Sequence, residues 1–299
     1  MLWFYKNNFR FCTKASINMS ITIFVAVLFA AVFHACWNAL VKVGSDRFLG
    51  ISLLTFFSGI VTIPALFLVG LPDIGAWKWL ILSVLFHIGY TLSLSRCYTL
   101  ADFNQIYPIS RGSAPLMTAV LGFFLFHETL PITGLIGILL IILGIILISR
   151  SRKIATLNLR KDALFFALLT ALFTASYTLS DGNGSRVGET PFAYILWLFF
   201  LNGIAMYLLA WLRYRQYLKT KIKDYWKPAF LGGVMQLVSY GIVIWAMSHA
   251  SIVLVAALRE TSVLFAMVLS VYLLKEQFNR KQLLACLVIL TGIVAIKMG

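Results

Sequence analysis

Long apolar runs alternate with short polar segments along almost the whole chain. Ten such runs can be delimited, at residues 20–41, 48–69, 77–98, 104–126, 132–149, 163–180, 192–212, 228–247, 252–274 and 282–298. Each run has about the 20 residues that a helix needs to cross a bilayer. Backbone polar groups in lipid must be satisfied within each segment, so the runs are predicted to be helices. The pattern therefore predicts an all-α polytopic membrane protein with ten transmembrane helices.

The apolar pattern repeats itself between the two halves of the chain. When the sequence is shifted by 148 residues, four landmarks coincide without a gap: Arg111 with Arg259, Glu128 with Glu276, Leu135 with Leu283, and Gly144 with Gly292. Each half holds five runs, and an odd number of spans reverses the orientation of the chain in the membrane. The two five-helix repeats are therefore predicted to be inverted relative to each other, as in many secondary transporters.

The polar segments set the boundaries of the predicted domains. The first repeat covers residues 19–149 and the second covers 162–299, with a basic linker at 150–161 between them. Residues 1–18 form a polar, aromatic and basic extension without a signal-peptide cleavage pattern. Met19 stands where the first apolar run begins, so it is an alternative start of the chain.

Composition supports a membrane protein and excludes an ordinary soluble one. Hydrophobic residues make up 61% of the 299 residues and charged residues only 12%, whereas a soluble domain carries roughly 25% charge. The formal net charge is +15. Most Lys and Arg stand in short loops, and cytoplasmic loops collect positive charge that faces anionic lipid. The charge therefore predicts contact with the lipid bilayer and no nucleic-acid partner.

The distribution of cations between the loops bears on orientation. Loops after the odd-numbered runs hold 17 Lys and Arg, and the opposite side, including both termini, holds 6. The positive-inside rule then places both termini outside the cytoplasm.

The sequence lacks the motifs of several other classes of protein. The four Cys residues are far apart and form no CxxC pair, so neither a disulfide framework nor a metal site is expected. There is no GxxxxGK[ST] loop for a nucleotide. There is also no DDxxD or HxxxxD cluster of the kind that an enzyme acting on a lipid carrier needs. We therefore expect no cofactor and no enzymatic activity.

Arg111 is the first candidate site residue, because an ionisable group inside a bilayer is costly and usually functional. It lies about two turns into the fourth run, between Pro108 and Pro115, which are predicted to kink the helix and free backbone groups. Arg111 and Tyr107 are therefore predicted to line a substrate cavity. The alternative is that the Arg111 side chain extends along its own stem to the membrane interface.

Arg259 and its neighbour Glu260 stand in the ninth run, within ALRETSVLF (257–265). Adjacent residues of a helix point about 100° apart, so both side chains cannot face lipid. Glu260 is predicted to neutralise Arg111 or Arg259, or to bind the proton of a proton-coupled cycle. The alternative is a fixed structural ion pair.

Further candidates for the lining share helical faces. His34, Trp37 and Asn38 lie at spacings of three and four in the first run. Their alternatives are a neutral histidine bonded to a carbonyl and a tryptophan anchored at the interface. In the second half Tyr177 shares a face with Asp181, for which a solvated helix cap is expected. The remaining predicted lining residues are Tyr90, Gln236 and Tyr240.

Three segments resemble the EamA-like branch of the drug/metabolite transporter superfamily. They are FHACWNALVK (33–42), ADFNQIYPISRGSAPL followed by FHETL (101–130), and ALRETSVLFAMVLSVYLLKEQF (257–278). The resemblance covers nearly everything after Met19. It implies ten helices in two inverted repeats, a central cavity, and the export or import of small metabolites.

The resemblance extends to single residues of the candidate site. The residues that match the family's fourth-helix and first-helix patterns are Tyr107, Pro108 and Arg111, and His34, Trp37 and Asn38. Members of the family similar to this chain place both termini in the cytoplasm. The charge count implies the reverse, so the orientation of the termini stays open.

Two arginines at equivalent positions of the repeats favour a secondary transporter, because guanidinium groups recognise carboxylate and phosphate. The expected activity is movement of a small polar metabolite, anionic or zwitterionic, across the inner or cytoplasmic membrane by alternating access. Coupling is expected to protons or to the substrate's own gradient, in a monomer or a homodimer. The alternatives are a membrane-embedded enzyme acting on a lipid carrier, a passive channel and a receptor.

Overall fold

A computed structural model of the chain describes residues 19–43, 46–100, 103–151, 160–274 and 280–298, without the side chains of 41–43, 47, 98, 103–108, 149–151 and 270–274. Within these residues the chain is helical and contains no strand. The helices are α1 Ile21–Val43, α2 Arg47–Val69, α3 Trp77–Leu100, α4 Phe103–Phe126, α5 Ile132–Ser151, α6 Lys161–Gly184, α7 Pro191–Tyr214, α8 Leu218–His249, α9 Ile252–Arg259, α10 Ser262–Leu274 and α11 Arg280–Met298.

Every apolar run delimited in the sequence overlaps a helix of the structure. The ninth run is divided into α9 and α10 at Glu260 and Thr261, and α8 begins well before the eighth run. Eight stretches of the described residues are long and apolar enough to cross a membrane, with α7 and α8 counted together, and a shorter apolar helix spans Ile132–Ile148. The all-α, multi-pass class is therefore confirmed, and the count of ten spans stays a prediction.

Short polar side chains begin some of the helices. The Asp46 Oδ1 accepts a hydrogen bond from the Leu49 N–H at the start of α2 (3.1 Å). The Ser251 Oγ accepts one from the Leu254 N–H at the start of α9 (3.2 Å). Each of these bonds satisfies a first-turn donor that has no partner within its own helix. Pro191 begins α7, where its missing N–H costs nothing.

The outward faces of the helices are apolar. Phe67, Leu68 and Phe124 each have well over half of their surface exposed. Such broad exposed apolar surface on long helices faces lipid and not water. Several hydroxyl groups inside these helices bond the carbonyl four residues back, which satisfies them without water; examples are Thr118, Thr170 and Thr174.

The main helix pairs form between the two halves of the chain. The principal pairs are α1 with α8, α2 with α7, α3 with α6, and α5 with α11. The start of α2 meets the end of α7, where the Tyr214 hydroxyl donates to Asp46 Oδ2 (2.5 Å). The end of α2 meets the start of α7, where the Trp197 Nε1 donates to the Gly70 carbonyl oxygen (2.8 Å). The helices α2 and α7 therefore run antiparallel, as equivalent helices of inverted repeats must.

Glycines let the last helices of the two halves approach closely. A Cβ added to Gly144 of α5 would lie 3.0 Å from the Ala285 carbonyl oxygen of α11. A Cβ added to Gly292 of α11 would lie 2.8 Å from the Gly137 carbonyl oxygen of α5. The shift of 148 residues converts the first contact into the second. The helix pair is therefore symmetric about an axis that relates the two repeats.

Charged residues from both repeats hold the turn between α8 and α9. The Arg186 Nε donates to the Met247 carbonyl oxygen (3.0 Å), and its Nη2 donates to the Ala250 carbonyl oxygen (2.7 Å). The Glu128 Oε1 accepts a hydrogen bond from the Ile252 N–H at the start of α9 (2.7 Å). A cation at the C-terminus of α8 and an anion at the N-terminus of α9 both match the helix dipoles. This turn orients α9, which carries Arg259 at its end.

Candidate functional site

Arg111 of α4 and Glu260 at the end of α9 form an ion pair between the two repeats. The Arg111 Nη1 lies 3.2 Å from Glu260 Oε1 and 3.1 Å from Oε2. The side chain of Arg111 is 13% exposed and that of Glu260 is 1% exposed. The Arg111 guanidinium therefore points into the protein in this structure and does not extend to the membrane interface.

His34 of α1 is the second partner of Arg111. The Arg111 Nη2 lies 2.7 Å from His34 Nε2. Because a guanidinium only donates, His34 Nε2 must accept this hydrogen bond, which fixes the ring as neutral. The Asn38 side chain donates to the His34 carbonyl oxygen (2.8 Å), and the Trp37 ring packs edge-on against the His34 ring at 5.0 Å. The face predicted on the first helix thus reaches the arginine predicted on the fourth.

Arg259 brings a second cation to the same carboxylate. Its Nη2 lies 3.3 Å from Glu260 Oε1, and its side chain is 3% exposed. The guanidinium also lies over the Tyr240 ring, 5.6 Å from the centroid, in a cation–π arrangement. The Arg259 Nε has no hydrogen-bond partner among the described residues. Glu260 is therefore shared by two arginines.

The helix of the ninth apolar run is broken between α9 and α10, which allows the Arg259 and Glu260 side chains to join one cluster. The Glu260 N–H donates to the Ala257 carbonyl oxygen and the Thr261 N–H to that of Leu258, each at 3.1 Å. These tight three-residue bonds end α9 before α10 begins. The shift of 148 residues places Glu260 opposite Gly112 and Arg259 opposite Arg111. The two repeats thus contribute arginines at equivalent positions, whereas the position equivalent to the Glu260 carboxylate is a glycine.

Asp181 of α6 is the centre of a second buried polar group. The Tyr240 hydroxyl donates to Asp181 Oδ2 (2.6 Å), and the Tyr194 hydroxyl donates to Oδ1 (3.0 Å). Asp181 is fully buried, because α6 continues to Gly184 and packs against α3. The prediction of a solvated helix cap at Asp181 is therefore wrong. The sequence did not show that the helix continues beyond this residue.

Aromatic rings connect this second group to α3. The His87 ring stacks on the Tyr177 ring at a centroid distance of 4.0 Å. Tyr90 and Tyr240 each pack edge-on against Tyr177, at 5.7 Å and 5.9 Å. The predicted lining residues Tyr90, Tyr177 and Tyr240 therefore lie together. Because Tyr240 also contacts Arg259, the two polar groups are continuous.

Two residues of these groups escaped the reading of the sequence. His87 lies in the middle of the third apolar run, and an ionisable residue in a membrane span is a functional candidate by itself. That signal could have found it. Tyr194 carries no comparable signal, because tyrosine is common near membrane interfaces.

The remaining predicted residues lie at the edges of this arrangement or outside it. The Gln236 Nε2 approaches Thr55 Oγ1 at 3.5 Å, and the Gln236 Oε1 has no hydrogen-bond partner among the described residues. The side chains of Tyr107 and Pro108 lie outside the described part of the chain. Helix α4 continues through the buried Pro115. The predicted kinks stay predictions.

The chemistry of the cluster suits an anion better than a metal ion. Two guanidinium groups and a neutral imidazole surround a single carboxylate, whereas metal sites need several acids, thiolates or imidazoles.

The sequence also matches the model of a known protein family. The EamA-like transporter family matches residues 17–150 and again residues 162–298. The chain belongs to the EamA-like transporter family.

This EamA-like protein is built from two copies of the family's unit, one in each half. No curated protein matches its sequence. A protein of known crystal structure matches its fold, with a TM-score of 0.73 and 15% sequence identity. That match covers 93% of this chain and 96% of the other. At this identity the likeness concerns the fold alone.

Proposed function

We propose that this protein is a secondary transporter that moves a small anionic or zwitterionic metabolite across the cytoplasmic membrane. One observation carries the proposal. Arg111 from the first repeat and Arg259 from the second converge on one buried carboxylate, Glu260. A site built at the junction of two repeats is where transporters of this architecture bind substrate.

The chemistry of the cluster supports an anionic group on the substrate. Guanidinium groups bind carboxylate and phosphate through paired, charge-assisted hydrogen bonds. The Arg259 Nε and the Trp37 Nε1 are buried donors without a described partner. Buried polar groups of proteins are normally satisfied. A polar substrate would supply their missing partners.

Alternating access is the proposed mechanism. We take the chain to form ten spans in two inverted repeats, in which α9 and α10 together make the ninth span. The antiparallel pairing of α2 with α7 supports this arrangement. Two units of opposite orientation can exchange roles on the two sides of the membrane around a shared site. A transporter is preferred to an enzyme because the family is one of transporters.

The experiment begins by finding the substrate and then tests Arg111. Purified protein is screened for thermal stabilisation against a library of metabolites, and the hits are tested for flux into proteoliposomes. The change Arg111→Ala should lower flux by about 10- to 100-fold, because a charge-assisted hydrogen bond contributes about 1.5–3 kcal/mol. The matched control is Arg160→Ala, since the ion pair that Arg160 forms with Asp162 among the described residues is exposed.

The outcomes separate the possible functions. Saturable flux that depends on a gradient, with loss in Arg111→Ala and not in Arg160→Ala, supports the proposal. Full flux in a well-folded Arg111→Ala protein removes Arg111 from the site. Flux that does not saturate indicates a channel, and stabilisation without flux indicates a receptor.

A further inference from the structure

We propose that Asp181 is a proton-binding site and that its proton is carried together with the anion, an inference that rests on the proposed transport function. Asp181 is fully buried in α6. Its carboxylate oxygens receive hydrogen bonds from two neutral hydroxyl groups, those of Tyr240 and Tyr194. Among the described residues, no Lys, Arg or His lies within ion-pair distance of it.

The contrast with Glu260 identifies which buried acid takes the proton. Glu260 lies against two guanidinium groups, which compensate its charge directly. Within the described part of the chain, the hydrogen bonds to Asp181 come from hydroxyl groups, and an isolated buried charge is costly to maintain. A proton is therefore the counter-charge available to Asp181. Glu260, which the sequence suggested for this role, remains the fixed counter-ion of the arginines.

The groups that face Asp181 come from four neighbouring elements. On α3 these are the Ser83 hydroxyl and His87, whose Nδ1 donates to the Ser83 carbonyl oxygen (2.9 Å). On α7 and α8 they are the phenols of Tyr194 and Tyr240. From α9, the Arg259 guanidinium lies behind Tyr240, over its ring. Tyr177 stands one turn before Asp181 on α6 and stacks on His87.

The charges of the two polar groups link proton binding to anion binding. Arg111 and Arg259 each contribute one positive charge, Glu260 contributes one negative charge, and His34 is neutral. Among the described residues, and with His87 also counted as neutral, the groups sum to zero with Asp181 ionised and to one positive charge with Asp181 protonated. One proton taken from water by the Asp181 carboxylate thus leaves the site with the charge that attracts one monovalent anion. Tyr240, which touches Asp181 and Arg259, is the physical connection between the two events.

Infrared spectroscopy tests the proton site without any substrate. Difference spectra of the purified full-length protein between about pH 6 and about pH 9 should contain the C=O band of a protonated carboxylic acid, because carboxyls of ordinary pKa are ionised throughout this interval. The band should shift when aspartate alone is labelled with carbon-13, and it should disappear in Asp181→Asn. Tyr207→Phe, which alters a tyrosine that stacks on Phe56 away from the site, is the control and should keep the band.

Several outcomes overturn the proton site. The first is the absence of any carboxylic acid band in the wild-type protein over this interval. The second is a band that does not respond to labelled aspartate, which is decisive even if Asp181→Asn fails to fold. The third is a band that survives in a folded Asp181→Asn protein.

A second variant tests the link to the anion cluster. Arg259→Gln removes the cation behind Tyr240, so the midpoint of the band's pH titration should move to higher pH by about one unit or more. Arg160→Ala should leave the midpoint unchanged. An unchanged midpoint in Arg259→Gln overturns the link.

The failure of this inference can be told apart from the failure of the transport proposal. If anion flux is observed but Asp181 gives no carboxylic acid band, the transport proposal stands and the proton site is refuted. If the Asp181 band is observed but no hit is transported, the proton site stands and the transport proposal is refuted. With a transported anion in hand, Asp181→Asn should lose accumulation driven by a pH gradient, by about 10-fold or more, while exchange of anion across the membrane continues.

Discussion

At the scale of single residues, the site is defined by an excess of cations over acids. Arg111 and Arg259 approach Glu260 within 3.3 Å. Burying charges is costly unless each has a partner and good geometry. Glu260 is therefore the described acid that pairs with both buried guanidinium groups, and its removal takes the negative charge from both pairs.

This balance predicts the behaviour of Glu260→Gln. We expect the variant to lose about 3–5 kcal/mol of stability, since breaking a buried ion pair strands the remaining charges. The second change Arg111→Gln, added to Glu260→Gln, should recover part of the loss because one stranded charge is removed. Thermal unfolding of the purified single and double variants measures the difference. Additive destabilisation in the double variant would show that the two side chains do not interact.

The residues of the site were predictable where their chemistry contrasts with their surroundings. Arg111, Arg259 and Glu260 stand out as charges in apolar runs, and the repeat relates the two arginines. The role of Asp181 was not predictable, because it depends on Tyr194 and Tyr240. Tyr194 lies on the next helix, 13 residues along the chain, and Tyr240 lies 59 residues along it. Spacing along one helix shows which side chains share a face and not which helix covers that face.

At the scale of elements, hydropathy predicted the helices and not their interruptions. Apolar length is enough to place each helix, because lipid allows few other structures. The break between α9 and α10 follows from hydrogen bonds at Glu260 and Thr261, which periodicity does not reveal. The early start of α8 at Leu218 lies in a basic segment that reads as a loop. Both departures concern polar residues whose helical state is decided by neighbours.

Two glycines of α8 should respond in opposite ways to the same change. A Cβ at Gly233 would lie 2.7 Å from the Leu54 carbonyl oxygen and 2.8 Å from the Ser58 backbone nitrogen, so Gly233→Ala forces α8 away from α2. We expect a loss of about 1–3 kcal/mol of stability. Gly241→Ala meets only the Ile195 side chain at 3.5 Å and should be neutral or stabilising by up to about 1 kcal/mol.

Thermal unfolding of both glycine variants provides the measurement, with each serving as the control of the other. Equal stability of the two variants would contradict the close approach of α8 and α2. The same residue type and the same helix remove differences in intrinsic helix propensity. Only the local approach of the neighbouring backbone distinguishes the two positions.

At the scale of the whole molecule, the helices of one half pack mainly against helices of the other half. The principal helix pairs, α1 with α8, α2 with α7, α3 with α6, and α5 with α11, all cross between the halves. The repeat in the sequence indicated two related units and their inversion. It did not indicate that the units interleave in this way, since pairing across halves depends on packing surfaces throughout each helix.

The interleaved pairing predicts how separated halves behave. Residues 19–149 and 162–298 expressed alone should each be degraded or aggregate, because their apolar faces lack partners. Co-expression should restore a complex that copurifies and melts near the temperature of the intact chain. The control is the protein that is produced as one chain and then cleaved within residues 152–159. A stable, monodisperse first half on its own would contradict this prediction.

The unequal placement of the carboxylate has a consequence for direction. The position equivalent to Glu260 in the first repeat is Gly112, so exchanging the roles of the repeats does not regenerate the same site. For the proposed alternating-access cycle, this asymmetry predicts two end states of unequal free energy and a different half-saturating substrate concentration at each membrane face. Net movement between equal concentrations would still require a gradient that supplies the energy.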